Sequence, residues 1–356
     1  SGVQGGAEMG AMPGAYVMGA AANEENARKF AQPEYWGFEP PAWNGLTAAE
    51  MILAAERGEI DVLWQSGGNF LETLPEPNRA RNAVRNIRLR IHQDIVLTSN
   101  MLVEPQETVL LLPSRTRYEQ RGGGTETSTE RRVIYSPEIR GPRPSEAPEA
   151  KDEWEIPVLV AHRADPERAG RAFSWRDTQD IRDEIDRVCP TYKGIANLRK
   201  KGDQFQYGGP RLLTDRFPTP DGKGHFSAID LPGSRVPEGH FLLSTRRGKQ
   251  FNSMVQAEID PLTGAGRDAI FMSASDAQRL EVSNGDPVLL RNDSGEFQGR
   301  VKIERIKPGC LLAHWPEVNV LIRAGCLDPS GVPDYNAVVE VIPIGKPAPA
   351  FVPAPA

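Results

Sequence analysis

The densest group of side chains that could do chemistry lies at Gly122–Arg132, which reads GGGTETSTERR. Three consecutive glycines let the backbone approach a ligand closely, and the hydroxyls, carboxylates and arginines that follow can hold a highly polar ligand. The local alternative is a solvated cluster of ion pairs, which would contribute little stability. The glycine triplet favours a binding site, with Thr127 and Arg131 among its candidate contacts.

Two more candidate contacts stand at predicted strand ends. Gly67-Gly68-Asn69 follows a strand, so backbone N–H groups can face a phosphate while the Asn69 amide adds a hydrogen bond. A plain tight turn is the alternative. Asp94 lies near the end of the next strand, and one carboxylate can accept two donors from a guanine edge or a ribose diol. Its alternative is an ordinary helix cap.

The second half of the chain carries a basic loop directly after a predicted strand. The segment Ser244–Ser253 contains three cations, two amides and several hydroxyls, a composition that suits a pyrophosphate and its heterocyclic neighbour. An exposed basic loop is the alternative. Asn319 and Asn336 lie in local turn signals, which also account for them without a ligand. The candidate contacts in this half are Thr245, Arg246, Arg247, Gln250, Asn252, Asn319 and Asn336.

Elements that alternate between helix and strand must position the first set of candidates. A capping box at Thr47–Glu50 opens a short helix that stops at Gly58, and a buried strand, a helix and two further strands follow. This order predicts βαβ units in a parallel sheet, whose ligands bind beyond the carboxyl ends of the strands. The predicted segments are Ile60–Trp64, Arg79–Arg88, Leu89–Ile95 and Thr108–Leu112.

The rest of the chain follows different patterns. Residues 1–45 indicate irregular backbone, a proline-rich stretch over 137–150 precedes two helices that begin near Asp152 and Thr178, and glycine and proline dominate 200–236. After that connector, short strands and turn signals recur about every eight to twelve residues, which predicts a small β-barrel. The predicted elements there are strands 241–245, 288–291, 297–306 and 311–315 and a helix over 273–280.

Composition narrows the class of protein. The chain has 356 residues, 39% of them hydrophobic, and lacks an apolar run near the roughly 20 residues of a spanning helix, so we expect about two globular domains and no membrane segment. A net charge of −6 argues against a nucleic-acid partner. The three cysteines lie far apart and the five histidines form no metal or triad motif, which disfavours a zinc or iron–sulfur site and a hydrolase.

Several segments, in this order, resemble the C-terminal part of a molybdopterin oxidoreductase alpha subunit of the formate-dehydrogenase-like type, in a branch associated with acid resistance. The resemblance covers nearly the whole chain to about Ile344. It is most specific at Val3–Gly10, Gly67–Glu72, His92–Ile95, Gly122–Arg132 and the turns at Asn319 and Asp334–Asn336.

The resemblance implies a fold and a cofactor. Residues 1–172 look like part of a Rossmann-like α/β domain with a parallel sheet, residues 173–236 look like a helical or irregular connector, and residues 237–346 look like a double-psi β-barrel. The composition of 347–356, mostly Pro and Ala, predicts a disordered tail. The implied ligand is bis-molybdopterin guanine dinucleotide with molybdenum, gripped by loops of both domains. Its nucleotide contacts would be Gly67, Gly68, Asn69 and Asp94, and its pyrophosphate and pterin contacts Thr245, Arg246, Arg247, Gln250 and Asn319, with Thr127, Arg131, Asn252 and Asn336 as further cofactor contacts.

The implied activity is that of a cytoplasmic oxidoreductase in which molybdenum passes electrons between a small substrate, with formate as one candidate, and a 4Fe–4S cluster. The cluster cysteines, the metal-ligating Cys or selenocysteine and a catalytic Arg are not found in this sequence. Because the chain opens on Ser1, we expect a fragment that is inert without its own N-terminal domains. The alternative is a nucleotide-binding or scaffold module without redox activity.

Overall fold

The computed structural model describes residues 3–128, 131–139, 149–207, 217, 219–230, 233, 236–249 and 257–345. The predicted tail 347–356 lies outside these ranges. Among the described residues no helix is long and apolar enough to cross a membrane.

Helices occupy three stretches of the described chain, near its start, around the first sheet and before the connector, with one more inside the barrel. They are α1 Val3–Glu8, α2 Glu24–Phe30, α3 Ala48–Glu56, α4 Pro77–Arg85, α5 Glu155–Ala164, α6 Pro166–Ala172, α7 Thr178–Val188 and α8 Ala274–Arg279.

Within the described ranges, the strands form two three-stranded sheets and one closed barrel. The first sheet has the order β1-β2-β3, the second β4-β5-β6, and the barrel β10-β8-β11-β7-β12-β9. The strands are β1 Val62–Ser66, β2 Leu89–Asp94, β3 Thr108–Pro113, β4 Gly124–Thr127, β5 Arg132–Ser136, β6 Gln204–Gln206, β7 Phe241–Arg246, β8 Ala269–Met272, β9 Pro287–Asn292, β10 Gly295–Ile303, β11 Cys310–His314 and β12 Asn336–Pro343.

The chain divides into two compact units that interleave along the sequence. The first unit comprises Ser1–Thr47, His92–Val96 and Leu111–Asp230. The second comprises Ala48–Ile91, Leu97–Leu110 and Leu231–Ala356. The second unit therefore combines the helix–strand segment around β1 with the whole barrel.

The helix–strand segment of the second unit is built as the sequence predicts. Helix α3 ends before Gly58, whose φ of 73° suits a left-handed helix stop. The backbone N–H of Leu89 donates to Asp61 O, and that of Thr108 donates to Arg88 O, so successive strands run in the same direction. Apolar side chains of α3, α4 and the strands share one core, which includes Ile52, Leu71, Ala83, Val84 and Ile87.

The barrel is a closed sheet in which every second residue points inward. Strand β7 pairs in parallel with β11 and β8 pairs in parallel with β10, while the other pairs are antiparallel. Inward positions alternate with a period of two, as strand geometry requires. The core residues include Phe241, Leu243, Ile270, Met272, Val288, Leu290, Leu311, Ala313, Val339 and Val341. The predicted fold class, an α/β sheet domain with a double-psi β-barrel, is confirmed.

The first unit packs its small sheet against aromatic residues and α7. Strand β5 pairs antiparallel with both β4 and β6. Tyr16, Phe30 and Tyr192 belong to its buried core together with Val133 and Cys189. The Phe30 ring stacks on Trp36 with 4.5 Å between centroids.

Several predicted elements are confirmed and several were not foreseen. Helices α3, α4, α7 and α8 and strands β2, β3, β7, β9, β10 and β11 lie within a few residues of their predicted positions. The predicted buried strand at Ile60–Trp64 is displaced to Val62–Ser66, and the prediction of burial is wrong, because no residue of β1 is fully buried and Val62 is 54% exposed. Residues 1–45 were predicted irregular, but Asn23 caps α2 by accepting from the backbone of Asn26.

The sequence pattern also misses short or turn-flanked strands. Strands β4 and β8 have four residues each, which is too short for a clear period-two signal. Strand β12 begins at Asn336, inside a segment whose composition predicts a turn.

Candidate functional site

A cavity of about 550 Å³ in the second unit brings together candidates from distant parts of the sequence. Gly67, Gly68 and Asn69 line it, and so does Arg247 of the basic loop after β7. Apolar side chains from α3, β1 and the barrel form the rest of the cavity wall. The lining residues are Ala48, Met51, Ile52, Leu63, Trp64, Gln65, Ser66, Gly67, Gly68, Asn69, Phe70, Thr73, Arg247 and Trp315.

The glycines at this cavity are required by backbone conformation. Strand β1 ends at Ser66, and Gly67 and Gly68 follow with φ of 70° and 82°. Residues that carry a side chain rarely adopt such positive φ angles. A Cβ on Gly68 would meet no heavy atom within 4 Å, so crowding is not the reason for this glycine. The Gln65 amide nitrogen donates to the carbonyl oxygens of Gly67 at 3.0 Å and Gly68 at 2.6 Å, which fixes the turn.

Residues that the sequence did not single out hold Asn69 and the turn after it. The Ser99 hydroxyl lies 2.9 Å from Asn69 Oδ1 and 2.8 Å from Glu72 Oε1. The fully buried Asn100 accepts from the backbone N–H of Leu71 and donates to Gln65 Oε1 at 3.1 Å. The single hydroxyl proton of Ser99 is thus shared between the Asn69 and Glu72 oxygens. Ser99 and Asn100 lie about thirty positions from this turn in the sequence, and no local motif predicts that they contact it.

Arg247 and Trp315 form the barrel's contribution to the cavity. The guanidinium carbon of Arg247 lies 5.9 Å from the centroid of the Trp315 ring. A cation within about 6 Å of a ring centroid is attracted to the ring face, so the Trp315 ring helps to place the guanidinium of Arg247. With Trp64 and Phe70 also present, the cavity offers aromatic surfaces for a planar heterocycle and one positive charge for an attached phosphate. Trp315 was not predicted as a site residue.

Arg246, the neighbour of Arg247, is part of a buried charge group. Its guanidinium lies 3.0 Å from the carboxylate of Asp260, which is 0% exposed. Burial raises the pKa of Asp260, but the N–H of Leu262, the charge of Arg246 and a hydrogen bond from Thr263 outweigh it, so the net shift is downward. Arg246 therefore forms an ion pair with an internal carboxylate of the second unit. The backbone N–H of Thr245 donates to Tyr335 O at 3.2 Å.

His314 completes this buried group. Its Nε2 is 4.0 Å from Asp260, and its ring meets Phe271 edge-on. Burial lowers the pKa of His314, the nearby Arg267 and Arg246 lower it further, and Glu317 and Asp260 oppose them. The imidazole is accordingly neutral in the folded protein at pH 7.

Asn319 and Asn336 lie elsewhere in the second unit. The Asn319 side chain is 0% exposed and donates to the carbonyl oxygens of Thr73 and Leu74. Asn336 accepts from the Ser244 hydroxyl at 2.6 Å and lines a different cavity of about 610 Å³. The predicted contacts Gln250 and Asn252 lie outside the described residues.

The remaining candidates belong to the first unit. Asp94 ends β2 and accepts from the backbone N–H of Ile95 at 2.7 Å. Thr127 Oγ1 accepts from the backbone N–H of Gly5 at 2.9 Å, and a Cβ on Gly5 would lie 2.9 Å from that oxygen. Arg131 has a φ of 61° and donates to Tyr207 O at 2.7 Å.

The glycine triplet Gly122–Gly124, which precedes Thr127 and Arg131, begins with a tight turn. Gly122 and Gly123 have φ of 81° and 74°. Arg182 of α7, which is buried, donates to Gly122 O at 2.8 Å, and the Thr178 hydroxyl donates to Gly123 O at 2.6 Å. Helix α7 thus anchors the carbonyl oxygens of this turn. In the described part of the chain no three His, Cys, Asp or Glu residues group as a metal site.

Comparison with known proteins agrees with this geometry. Residues 241–339, which span all the barrel strands except the last residues of β12, match the family model described as "Molydopterin dinucleotide binding domain". The predicted double-psi barrel therefore coincides with the region that matches this family model.

Relatives of known name extend the similarity to most of the chain. The F420-dependent formate dehydrogenase subunit alpha of Methanocaldococcus jannaschii is 28% identical over 89% of this chain and 47% of the relative. Formate dehydrogenase H of Escherichia coli is 28% identical over 96% and 49%, and Protein YdeP of Escherichia coli is 26% identical over 87% and 43%. The chain spans about half the length of the curated relatives it matches.

A solved structure supports the fold. Acetylene hydratase from Pelobacter acetylenicus superposes with a TM-score of 0.56 at 16% identity, over 84% of this chain and 47% of that one. The barrel thus matches a molybdopterin dinucleotide binding domain, and most of the chain shares its fold with the solved structure. The chain is similar to the C-terminal part of formate-dehydrogenase-like molybdopterin oxidoreductases, as the sequence motifs predicted.

Proposed function

We propose that this chain is the cofactor-binding part of a molybdenum-dependent oxidoreductase and that it binds bis-molybdopterin guanine dinucleotide. One observation carries the proposal. The Gly67–Asn69 turn and the pair Arg247 and Trp315 line a single cavity beside a barrel that matches a molybdopterin dinucleotide binding domain. Glycine turns after strands and arginines are the groups that proteins use for pyrophosphates.

The cavity's donors fit a dinucleotide. The left-handed turn at Gly67 and Gly68 frees the backbone to approach a phosphate closely, and Arg247 supplies a positive charge. Trp64, Phe70 and Trp315 supply faces for a guanine or pterin ring. Asp94, Thr127, Arg131, Gln250, Asn252 and Asn336 remain proposed contacts of the same cofactor. The bound cofactor would supply molybdenum, which exchanges electron pairs with a substrate.

The redox ligands are proposed to come from other segments of the whole protein. Burial, aided by Glu8 and Glu184, raises the pKa of the Cys189 thiol to about 11, so the thiol is protonated at neutral pH. Cys310 and Cys326 are two separate single thiols. We therefore assign the 4Fe–4S cluster, the metal-ligating Cys or selenocysteine and the catalytic Arg to N-terminal domains. The whole protein would be a formate-dehydrogenase-like enzyme with formate as a candidate substrate, and this chain alone would bind cofactor without turnover.

Binding of GDP tests the nucleotide part of the proposal, because GDP carries the guanine, ribose and pyrophosphate of the dinucleotide. Isothermal titration calorimetry on the 356-residue chain should show binding that Arg247→Ala weakens about tenfold, since a charge-assisted hydrogen bond contributes about 1.5 kcal/mol or more. Arg300→Ala is the matched control. Arg300 is an exposed barrel arginine that pairs with Asp268 and lines neither of the two cavities, so its loss should leave affinity unchanged.

The metal is tested separately in the natural protein. Purification from cells that make the cofactor, followed by elemental analysis and acid release of nucleotide, should give molybdenum and a guanine nucleotide together. Guanine nucleotide without molybdenum would favour the alternative, a nucleotide-binding module without redox chemistry. Neither component in the protein, with no GDP binding by the chain, would contradict the proposal.

A further inference from the structure

The segment after the Gly67–Asn69 turn is held by residues of the barrel. Asn319 Nδ2 donates to Thr73 O at 3.1 Å and to Leu74 O at 3.3 Å. The Tyr335 hydroxyl donates to the same Thr73 oxygen at 2.7 Å. These bonds join positions about 245 residues or more apart, and we call Thr73–Glu76 with these partners the barrel latch.

Glu76 extends the latch on its other side. Its backbone N–H donates to Asn319 O at 3.0 Å, and its carboxylate accepts from the backbone N–H of Ala324 at 2.8 Å. Glu76 has a φ of 47°, a conformation that a non-glycine residue holds only when its surroundings fix it. The latch therefore constrains both the carbonyls and the backbone angles of this segment.

Burial separates Asn319 from any ligand. The side chain is 0% exposed, so in this conformation it has no surface that a cofactor could touch. Two carbonyl oxygens beside its terminal nitrogen fix the orientation of the amide, and Oδ1 has no hydrogen-bond partner in the described part of the protein. The function of Asn319 must then pass through the segment that it holds.

A short path leads from the latch to the cavity. The backbone N–H groups of Thr73 and Leu74 donate to Phe70 O, and that of Glu72 donates to Asn69 O. Asn69, Phe70 and Thr73 all line the cavity. Because these residues form one tight turn, a displacement of Thr73 moves Asn69 with it.

We propose that Asn319 is a positioning residue, which sets the Asn69–Leu74 turn from the barrel side and thereby shapes the cavity without touching its ligand. The inference rests on the proposed function only for the identity of that ligand. It assigns to Asn319 a role different from the pterin contact that the family resemblance implied.

Asn319→Asp separates the two roles. The carboxylate keeps the shape and the acceptor oxygen that a ligand contact would use, but it cannot donate and it repels the two carbonyl oxygens. Hydrogen exchange on the ligand-free chain should then be about tenfold faster at the amides of residues 71–74. GDP affinity should fall as well. Tyr335→Phe, which removes one hydroxyl and leaves the ring, should change both quantities in the same direction by a smaller factor.

Asn292→Asp is the matched control. Asn292 Nδ2 donates to the carbonyl oxygens of Leu321, which ends the 3-10 helix that carries Asn319, and of Val338, so the same substitution perturbs the surroundings of that helix without removing a bond to Thr73 or Leu74. Its exchange at 71–74 should match that of the wild type. Unchanged exchange in both Asn319→Asp and Tyr335→Phe, or equal acceleration in Asn292→Asp, would overturn the inference. If the wild-type chain binds no GDP and the variants still show the expected exchange pattern, the result would count against the proposed function and support this inference.

Discussion

Two glycine turns in this protein share a sequence pattern and differ in their physical cause. Gly67-Gly68 in the second unit and Gly122-Gly123 in the first both have positive φ and both precede polar residues. A Cβ on Gly68 would meet open space, whereas a Cβ on Gly123 would lie 2.5 Å from Ser136 O and 2.7 Å from the Tyr135 hydroxyl. The first turn has room for a ligand at its glycine, and the second is filled by the protein itself.

The contrast between the two turns shows that a glycine cluster can serve either a backbone angle alone or a backbone angle together with close packing. At Gly67-Gly68, glycine allows the positive φ angles of a turn that lines a cavity, and the Gln65 amide donates hydrogen bonds to both carbonyl oxygens. At Gly122-Gly123 it also allows α7 and β5 to approach, and Arg182 stacks over the Tyr135 ring at 4.9 Å. Substitution should therefore affect binding at the first turn and stability at the second.

The largest expected effect is that of Gly123→Ala. The new methyl group combines a strained φ with a clash against backbone, so we expect a loss of about 2–5 kcal/mol in the free energy of unfolding. Urea denaturation measures it. Gly124→Ala is the control, because its Cβ would meet only Arg117 O at 3.4 Å, an ordinary contact, and φ there is not positive.

The reactivity of two cysteine thiols can show which unit the Gly123→Ala substitution destabilises. Cys189 is buried in the first unit and Cys326 is exposed in the second. At pH 8 the wild type should react with a thiol reagent at Cys326 but not at Cys189, and Gly123→Ala should make Cys189 reactive. Equal stability of Gly123→Ala and Gly124→Ala would remove the distinction between the two turns.

Gly68→Ala should have a smaller effect on stability and a specific effect on binding. Without a clash, only the left-handed angle is strained, so the unfolding free energy should fall by about 1–2 kcal/mol. GDP affinity should fall about tenfold as the turn relaxes, a loss of about 1.4 kcal/mol in binding. Calorimetry and urea denaturation on the same protein separate the two numbers. A Gly68→Ala chain with wild-type affinity would show that this turn does not shape the site.

The smallest effect concerns pH and the buried group beside Arg246. The pKa of His314 is lower in the folded protein than in the unfolded chain, so the unfolded state binds a proton first as the pH falls. Stability from the neutral imidazole is fully present above about pH 6.5 and declines below it as the pH falls toward the lowered folded pKa. Urea denaturation from pH 7 to 5 should show this decline in the wild type and less of it in His314→Gln. A steeper decline in His314→Gln would contradict the sign.

Much of the fold could be predicted because its elements carry local signals. The capping box before α3, the stop at Gly58 and the short strands of the barrel all follow from neighbours within a few positions. The sequence motifs also found Gly67–Asn69 and the basic loop that contains Arg247. They missed β8 and β12, where a strand is too short or follows a turn signal.

The site's supporting residues could not be predicted, because their partners are remote. Ser99 and Asn100 act on the Asn69 turn, and Asn319 acts on Thr73, with no local pattern to connect them. The pairing of Arg246 with Asp260 likewise depends on folding.

The sequence by itself determined the alternating strands of the barrel, the helix boundaries and the residue types at the cavity, since these depend on period, capping and backbone freedom. Only the tertiary structure decided which glycine turn faces open space and which is packed against α7. It also decided that Asn319 is buried behind the turn. Both outcomes depend on which distant atoms occupy the neighbouring volume, and a local pattern of residues carries no information about that volume.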